Sequence, residues 1–583
     1  MRIASKIYLS LLIFAISPLS IFFRFNTPLE TRSVIIPVEN TESIQAAINA
    51  ADENDTIIVK AGTYYECIII NKSLTLIGEV GAIVEGNGKR HTIEITANGV
   101  TLVGLTVNGS CNSPWSGIYV GSLYNNITGN VVLNHYYGIH VYDSSNNFLR
   151  GNILSGNRFN LRVWGLYLEH FIHDIDPSNK VNGKSVYYWV NKHDEQVPSD
   201  AGYVAIINSS NIIVKDLTLT NNGEGVLFAY TKNSTINNVT ASNNLRGIRL
   251  LYSHENTVIG SKITDNYWCG IVVDTSLSNK VYENDISGNR EYGVVLAYSS
   301  LLLIQSRYNV ISRNNITNNQ VGVDIWEAFE NVVSCNVFRN DYRNIMFDSS
   351  RNNSIYGNLI RNGEFGLWLF RSGNNHIYHN SFVDNAIQVY TQDILSSNIW
   401  DNEYPSGGNY WSDYTGVDVD MDGIGETEYV IDNSNKDRYP LIALIHVFSV
   451  GPCNEVSFDV DVVSNSTVSN FQFSLTQRIM SFNASGPEDT LGFCRITIPS
   501  IVIQDLWENN YTVLADGNPP VTFRNWTDGT YTYLYFTFNH PEQKIVMIPE
   551  FSSNILLWLL LFFVLVMSKI MRRVRLEQMR SRR

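Results

Sequence analysis

A short apolar motif that begins with a small residue recurs along this chain about every 22 residues. Within the unbroken stretches, the spacings between neighbouring occurrences are 20 to 23 residues, except for one of 29; one break, between Gly138 and Gly225, spans 87 residues. Self-similarity at such a fixed period is typical of repeat architectures, so the chain is predicted to fold as a solenoid. The occurrences begin at Gly117 (GIYV), Gly138 (GIHV), Gly225 (GVLF), Gly247 (GIRL), Gly270 (GIVV), Gly293 (GVVL), Gly322 (GVDI), Asn344 (NIMF), Gly366 (GLWL) and Ala386 (AIQV).

Each period contains two further apolar pairs that follow turn-forming residues, as in ENTVIG at Glu255 and NNHIYH at Asn374. Three short strands separated by Asn, Gly or Ser turns predict an all-β, three-sided coil of parallel strands. The Leu and Asn pattern of leucine-rich repeats is missing, and a propeller blade needs about 40 residues. Coils stack about 4.8 Å apart, so Asn side chains are expected to hydrogen-bond along columns.

The exposed ends of such a stack must be covered. Residues Ile44, Ala47 and Ile48 fall at helical spacing after Thr41 or Ser43, which predicts a capping helix at the start of the coils. The predicted regions are a signal peptide or signal anchor at 1–30, a capping segment at 31–55, coils at 56–445 with an insertion at about 163–203 and an acidic loop at 418–432, a small β-sandwich at 446–549, and a transmembrane or sorting segment with a basic tail at 550–583.

The charge and the two ends of the chain predict an extracytoplasmic, membrane-anchored protein. The formal net charge of -14 excludes the basic surface that nucleic-acid binding needs. Apolar runs at Ile7–Phe23 and Ile555–Met567 are typical of a signal and a membrane span, and the Lys and Arg cluster after the second run predicts a cytoplasmic tail. Sequons of the N-x-S/T type suit a glycoprotein. Cys453 and Cys494 fall in one segment and are the disulfide pair to consider.

The acidic loop has carboxylates at alternate positions beside glycines. This pattern lets side chains and one backbone carbonyl converge on a hard cation, and it predicts a structural Ca²⁺ site. A solvated acidic turn is the alternative. The predicted ligands are Asp418, Asp420, Asp422, Ile424 and Glu426.

Aromatic side chains are the candidates for ligand binding. In the insertion they are Tyr187, Tyr188, Trp189 and His193, and a hairpin packed on the coils is an equally good interpretation of this segment. Tyr230, Tyr252 and Tyr298 share one offset in their coils, so they predict a stacked aromatic column, which either binds a glycan or only stabilises the solenoid. A second outward column, two residues after each motif glycine, contains Tyr119, His140, Leu227, Arg249, Val272, Val295, Asp324, Met346 and Trp368.

The QAAI and GTYYE segments near the start of the coils, the coils themselves and the closing GGNYWSDYTGVDVDMDGIGETEYVID from Gly407 resemble one family. The chain is similar over about 31–441 to right-handed parallel β-helix proteins of the NosD type, described as periplasmic copper-binding, and to carbohydrate-binding and sugar-hydrolysis β-helix domains. The resemblance implies the fold and copper as a cofactor. The Pro549-Glu550-Phe551 junction resembles C-terminal sorting signals of the PEF type.

The sequence therefore predicts an exported, membrane-tethered β-helix protein that acts as a surface binding or structural module, with glycans as the expected partners. A polysaccharide lyase, hydrolase or epimerase on the same fold is the first alternative, and copper delivery is the second. Outward acids such as Asp274, Asp324 and Asp348 are scattered over different columns, so no catalytic residue is assigned. The close pair His376 and His379 points to opposite strand faces, which argues against joint copper ligation.

Overall fold

The computed structural model describes residues 33–109, 114–297, 305–392, 396–453 and 456–550. The predictions for the N-terminal signal, for Tyr298 and for the C-terminal apolar segment lie outside these residues. Within the described ranges, no helix has both the length and the apolar character needed to cross a membrane.

The first part of the chain winds into a three-sided stack of parallel strands. From β2 to β15, each strand pairs with the strand three places later in the chain, so each side of the stack is one sheet. The three sheet orders are β1-β2-β5-β8-β11-β14-β17, β4-β7-β10-β13-β16 and β3-β6-β9-β12-β15-β18. The strands are β1 (Ile35–Val38), β2 (Thr56–Val59), β3 (Gly62–Tyr64), β4 (Ile68–Ile70), β5 (Thr75–Gly78), β6 (Ala82–Glu85), β7 (Ile93–Ile95), β8 (Thr101–Val103), β9 (Thr106–Asn108), β10 (Ser116–Val120), β11 (Asn126–Thr128), β12 (Val131–Leu133), β13 (Tyr137–Tyr142), β14 (Phe148–Arg150), β15 (Ile153–Ser155), β16 (Phe159–Trp164), β17 (Asp174–Ile175) and β18 (Lys180–Val181).

The predicted capping helix is confirmed as α1 (Ile44–Ala50). The Ser43 hydroxyl is the N-cap and accepts the backbone N–H of Ala46. Ile44 and Ile48 are fully buried against the first coils, so the helix covers the open end of the stack.

The insertion reverses the direction of the strands. It contains a short 3-10 helix, Leu168–Phe171, and a hairpin in which β18 pairs antiparallel with β19 (Lys184–Val190). Asn182 and Gly183 between them have φ values of 49° and 82°, and two positive φ angles are what a two-residue type I′ turn requires. Strand β19 then pairs in parallel with the first strand of a second stack.

The second stack repeats the three-sided coil. Its largest sheet continues from the first stack and has sixteen strands, in the order β3-β6-β9-β12-β15-β18-β19-β20-β23-β26-β29-β32-β35-β38-β41-β44. The strands are β20 (Ala201–Ile207), β21 (Ile213–Lys215), β22 (Thr218–Thr220), β23 (Glu224–Ala229), β24 (Thr235–Asn237), β25 (Thr240–Ser242), β26 (Arg246–Leu251), β27 (Thr257–Ile259), β28 (Lys262–Thr264), β29 (Cys269–Asp274), β30 (Lys280–Tyr282), β31 (Asp285–Ser287), β32 (Tyr292–Ala297), β33 (Val310–Ser312), β34 (Asn315–Thr317), β35 (Val321–Trp326), β36 (Val332–Ser334), β37 (Val337–Arg339), β38 (Arg343–Asp348), β39 (Ser354–Tyr356), β40 (Leu359–Arg361), β41 (Phe365–Phe370), β42 (His376–Tyr378), β43 (Ser381–Val383) and β44 (Ile387–Thr391).

The two stacks lie on opposite faces of this shared sheet near the hairpin. Ala205 and Leu227 point into the core of the first stack, whereas the alternating residues Val204 and Val226 point into the core of the second. The all-β solenoid is confirmed, but the prediction of one continuous outward column is wrong. Tyr119 and His140 align with Arg162 in the five-stranded sheet, and the column from Leu227 to Trp368 lies in the sixteen-stranded sheet. The physical reason is the antiparallel hairpin, which changes the sheet that the motif strands join.

Asn columns line the corners of the second stack. Asn353 shows the pattern: its Oδ1 accepts the backbone N–H and the side-chain Nδ2 of Asn331, at 2.9 and 3.2 Å. Its own Nδ2 donates to Asn375 Oδ1 at 3.1 Å and to the Ala328 carbonyl at 3.1 Å. These amides are buried and satisfied by the neighbouring coils, which explains the Asn content of the sequence.

The chain then forms short strands β45 (Tyr410–Trp411), β46 (Tyr429–Val430) and β47 (Lys436–Asp437) and enters a sandwich of two antiparallel sheets. The segment after the strand that ends at Pro499 is helical, and Val502, Ile503, Leu506 and Trp507 bury one face of this helix. The sandwich elements are β48 (Leu444–Cys453), β49 (Val456–Ser464), β50 (Thr467–Ser474), β51 (Ile479–Ser485), β52 (Leu491–Pro499), α2 (Ser500–Trp507), β53 (Tyr511–Ala515), β54 (Thr522–Thr527), β55 (Tyr531–Asn539) and β56 (Glu542–Pro549).

Polar side-chain contacts hold the sandwich against the flank of the second stack. Arg313 Nη2 lies 2.9 Å from Asp459 Oδ1, and His379 Nδ1 lies 3.1 Å from Asp461 Oδ2. Within the sandwich, Cys494 is a free, buried thiol, so the considered disulfide with Cys453 is wrong. Burial raises the pKa of the Cys494 thiol to about 12.

Candidate functional site

The aromatic residues of the insertion are mostly engaged with their own hairpin. Tyr188 is only 6% exposed and its hydroxyl donates to the Phe171 carbonyl at 2.6 Å, so the fold uses this side chain in packing. The Tyr187 hydroxyl donates to Asp200 at 2.6 Å, and its ring meets the half-buried ring of Trp189 edge to face. His193 is exposed and contacts Ser210. The packed-hairpin interpretation therefore fits these contacts better than an open binding loop.

Tyr230 and Tyr252 stack as predicted, with ring centroids 4.9 Å apart, but they close the junction between the two stacks. The Tyr230 hydroxyl donates to the Leu166 carbonyl at 3.1 Å. Trp368 lies farther along the sheet and is half-buried. Its ring centroid lies 4.4 Å from that of Tyr390 and 4.3 Å from the Arg343 guanidinium. These aromatic residues thus do not converge on one surface.

Three of the five predicted metal ligands come together in the acidic loop. Asp418, Asp420 and Glu426 place one carboxylate oxygen each within 4.8 Å of the others. Asp422 is turned away and buried, and its Oδ1 accepts the backbone N–H of Ile424 at 2.9 Å. An oxygen-only set of this kind suits a hard cation better than copper.

A cavity of about 380 Å³ lies on the outward face of the sixteen-stranded sheet. Trp164 and Leu166 at the end of the first stack form one wall. Its floor comes from successive coils of the second stack, which place Arg249, Val272, Val295 and Asp324 in register on β26, β29, β32 and β35. The cavity thus occupies the corner that the junction of the two stacks creates.

Charged side chains are buried in this cavity. Arg246 Nη1 lies 2.9 Å from Glu224 Oε1, in a pair whose side chains are 8% and 0% exposed, and the Arg246 guanidinium lies 4.2 Å from the Trp268 ring centroid. Arg249 Nη2 lies 3.2 Å from Asp274 Oδ2. Burial, together with the nearby Arg249, lowers the pKa of Arg246 to about 10, which leaves it protonated at neutral pH.

Asp324 differs from the other acids of the cavity. Burial and then the negative charge of Asp348 raise its pKa to about 7, against the opposing effect of Arg343. Its Oδ1 has no hydrogen-bond partner in the described part of the chain. Above it, Trp326 is 45% exposed and lines the same cavity. The site therefore combines an exposed indole face, two paired guanidinium groups and a carboxyl group that titrates near neutral pH.

The sequence predicts Arg249, Asp274 and Asp324 as outward residues but does not indicate that they share one cavity. They stand two or four residues after the motif glycine of their coils, and the pleated face of the sheet brings these two positions of neighbouring coils together. The signal that was available is the Asn-Gly pair at 182–183 in the insertion, which predicts a hairpin and therefore a corner between two stacks.

Family models match the second stack. Residues 198–338 match the model described as right handed beta helix region, and residues 294–416 match the model described as periplasmic copper-binding protein (NosD). No curated protein matches the chain.

Solved structures with the same kind of coil include the A-module of a mannuronan C-5 epimerase from Azotobacter vinelandii, which is 13% identical, with 61% of this chain and 92% of that chain covered and a TM-score of 0.25. The surface adhesin PfbA of Streptococcus pneumoniae is 12% identical over 60% of this chain and 91% of that chain, with a TM-score of 0.26. The predicted resemblance to NosD-type right-handed β-helix proteins is confirmed for the residues that the two family models match.

Proposed function

We propose that this protein binds glycans outside the cytoplasm, and that the corner cavity is its binding site. The observation that carries the proposal is the exposed indole of Trp326 above a floor of buried, partly unpaired polar groups. Sugar rings pack their C–H faces on aromatic rings, and their hydroxyl groups need directed polar partners. Tethering to the membrane is part of the proposal and rests on the apolar runs at the two ends of the sequence.

Replacing Trp326 by Ala is expected to weaken glycan binding about tenfold, because the sugar loses its aromatic platform. The measurement is a glycan array on the purified protein, followed by calorimetric titration with the strongest hit. Trp189, half-buried on the hairpin, provides the matched control, and Trp189→Ala should leave the affinity unchanged. Equal affinities for wild type and Trp326→Ala would place the glycan elsewhere.

Catalysis in the same cavity is the second candidate, and Asp324 favours it. A carboxyl group with a pKa of about 7 is suited to general acid or base catalysis near neutral pH. The array hit is therefore incubated with the protein and assayed for new reducing ends and unsaturated uronate. Product release that Asp324→Asn abolishes would make the protein an enzyme, whereas intact glycan after long incubation would leave it a binding protein.

A structural Ca²⁺ at Asp418, Asp420 and Glu426 is a separate proposal, supported by the proximity of their oxygens. Removing Ca²⁺ with a chelator is expected to lower the melting temperature of the protein by several degrees, because three carboxylates then repel each other in one loop. Asp420→Asn should abolish this difference. An identical melting temperature with Ca²⁺ and with chelator would refute the site. Copper has the support of the family description alone.

A further inference from the structure

The two arginines on the cavity floor have donors to spare. Arg246 and Arg249 are 7% and 4% exposed, and each reaches a carboxylate through one nitrogen. Arg246 Nε and Arg249 Nη1 have no hydrogen-bond partner among the described residues. A guanidinium group carries five N–H donors, and leaving a buried one unpaired is costly. Both arginines line the cavity, so an acceptor that enters it meets guanidinium groups already in place.

The charges around these donors favour an anion. Glu224 and Asp274 balance Arg246 and Arg249, and Arg162 adds a third positive charge that acts on Arg246. The Arg162 guanidinium lies 5.1 Å from the Tyr137 ring centroid, and its Nη1 donates to the Tyr137 hydroxyl. The formal charges of Arg162, Arg246, Arg249, Glu224 and Asp274 thus sum to +1.

We propose, on the basis of the proposed function, that the cavity selects anionic glycans, with the carboxylate or sulfate group of one sugar on Arg246 and Arg249 and the ring of another sugar of the same glycan against Trp326. Planar guanidinium groups bind such oxyanions through paired hydrogen bonds, and these bonds gain strength in a buried site. The Asp324 carboxyl group stands at the other end of the floor and donates a hydrogen bond to a sugar oxygen in its protonated form.

The affinity for an anion is expected to fall as the pH rises from 6 to 8. Burial holds the Asp324 pKa near 7, so the group is largely neutral at pH 6 and ionised at pH 8, where it repels the ligand. The charged or titratable groups that act on Asp324 or feel its charge are Asp348, Arg343, Tyr292 and the Cys269 thiol. Burial raises the pKa values of Tyr292 and Cys269, so both stay neutral across this range.

The test titrates wild-type protein at pH 6 with three tetrasaccharides: a galacturonate, a sulfated galactoside and a neutral galactoside. At least one acidic probe should bind about tenfold more tightly than the neutral one. Arg249→Met should remove this preference, Arg249→Lys should retain part of it, and Arg339→Met, on the exposed face of another sheet, should leave it intact.

Asp324→Asn supplies a variant whose fold does not depend on a charge pair, because Asn keeps both the shape and a donor. Its affinity for the acidic probe should be the same at pH 6 and pH 8, whereas that of wild type should fall several-fold. Neutral and acidic probes that bind equally well would overturn the anion selectivity and leave the glycan site standing. If Trp326→Ala changes binding to no probe, the proposed site itself is wrong.

Discussion

Replacing Glu224 by Leu is expected to lower the free energy of unfolding by about 3–5 kcal/mol. Glu224 is completely buried, and its Oε1 lies 2.9 Å from Arg246 Nη1. The substitution removes the counter-ion and leaves without its partner a guanidinium group that is only 7% exposed. Arg249 and Arg162 add to the penalty, because both act as like charges on Arg246. Urea denaturation followed by circular dichroism measures the change.

The double variant Glu224→Leu/Arg246→Met separates the charge effect from a packing effect. With both charges replaced by apolar side chains, most of the lost stability should return, since a buried pair contributes little over well-packed apolar residues. Glu79, whose partner Lys60 lies at the surface, is the control, and Glu79→Leu should cause no measurable change. A double variant as unstable as Glu224→Leu alone would show that packing at position 224, and not charge, determines stability.

The repeat predicted the three-sided coil, because each coil covers the apolar side of its neighbour and this requirement is written into every period. The period does not predict that the strands of the second stack run in the opposite direction to those of the first. That direction depends on one local turn at Asn182 and Gly183, whose positive φ angles turn β18 into β19. The corner cavity follows from this turn, so a comparison of columns alone could not find it.

The site residues were visible individually but not as a set. Asp274 lies four residues after its motif glycine and Asp324 two residues after its own, and their strands are two places apart in the sheet. Both line the cavity only because the coils stack, and the repeat predicts the stacking but not which side chains meet. Two of the predicted aromatic residues are buried for a related reason. Tyr188 and Tyr252 are aromatic side chains of the kind that bind sugars. The first stack covers them, because it lies on that face of the shared sheet.

A second large effect on stability is expected from a substitution at Asp341. At this position an Asn column of the second stack ends in an acidic side chain. Asp341 is 1% exposed, and its Oδ1 accepts the backbone N–H and Nδ2 of Asn319, while its Oδ2 has no partner among the described residues. Burial raises its pKa well above the ordinary value of 3.8, although the two Asn319 hydrogen bonds oppose the shift. In the preceding coil, the Nδ2 of Asn319 donates to the Ile286 and Thr317 carbonyls.

Asp341→Asn is therefore expected to stabilise the protein, and increasingly so as the pH rises from 4 to 7. The native state holds its proton where the unfolded chain has released it, so wild-type stability falls above the unfolded pKa by up to about 1.4 kcal/mol per pH unit. The Asn variant has no such proton and supplies the missing donor. Urea unfolding of both proteins at pH 4.5 and 7 gives the difference. The reciprocal variant Asn353→Asp should lose stability with the same pH dependence, because its carboxylate would face the Ala328 carbonyl. Parallel pH profiles for wild type and Asp341→Asn would mean that Asp341 is ionised in the folded protein.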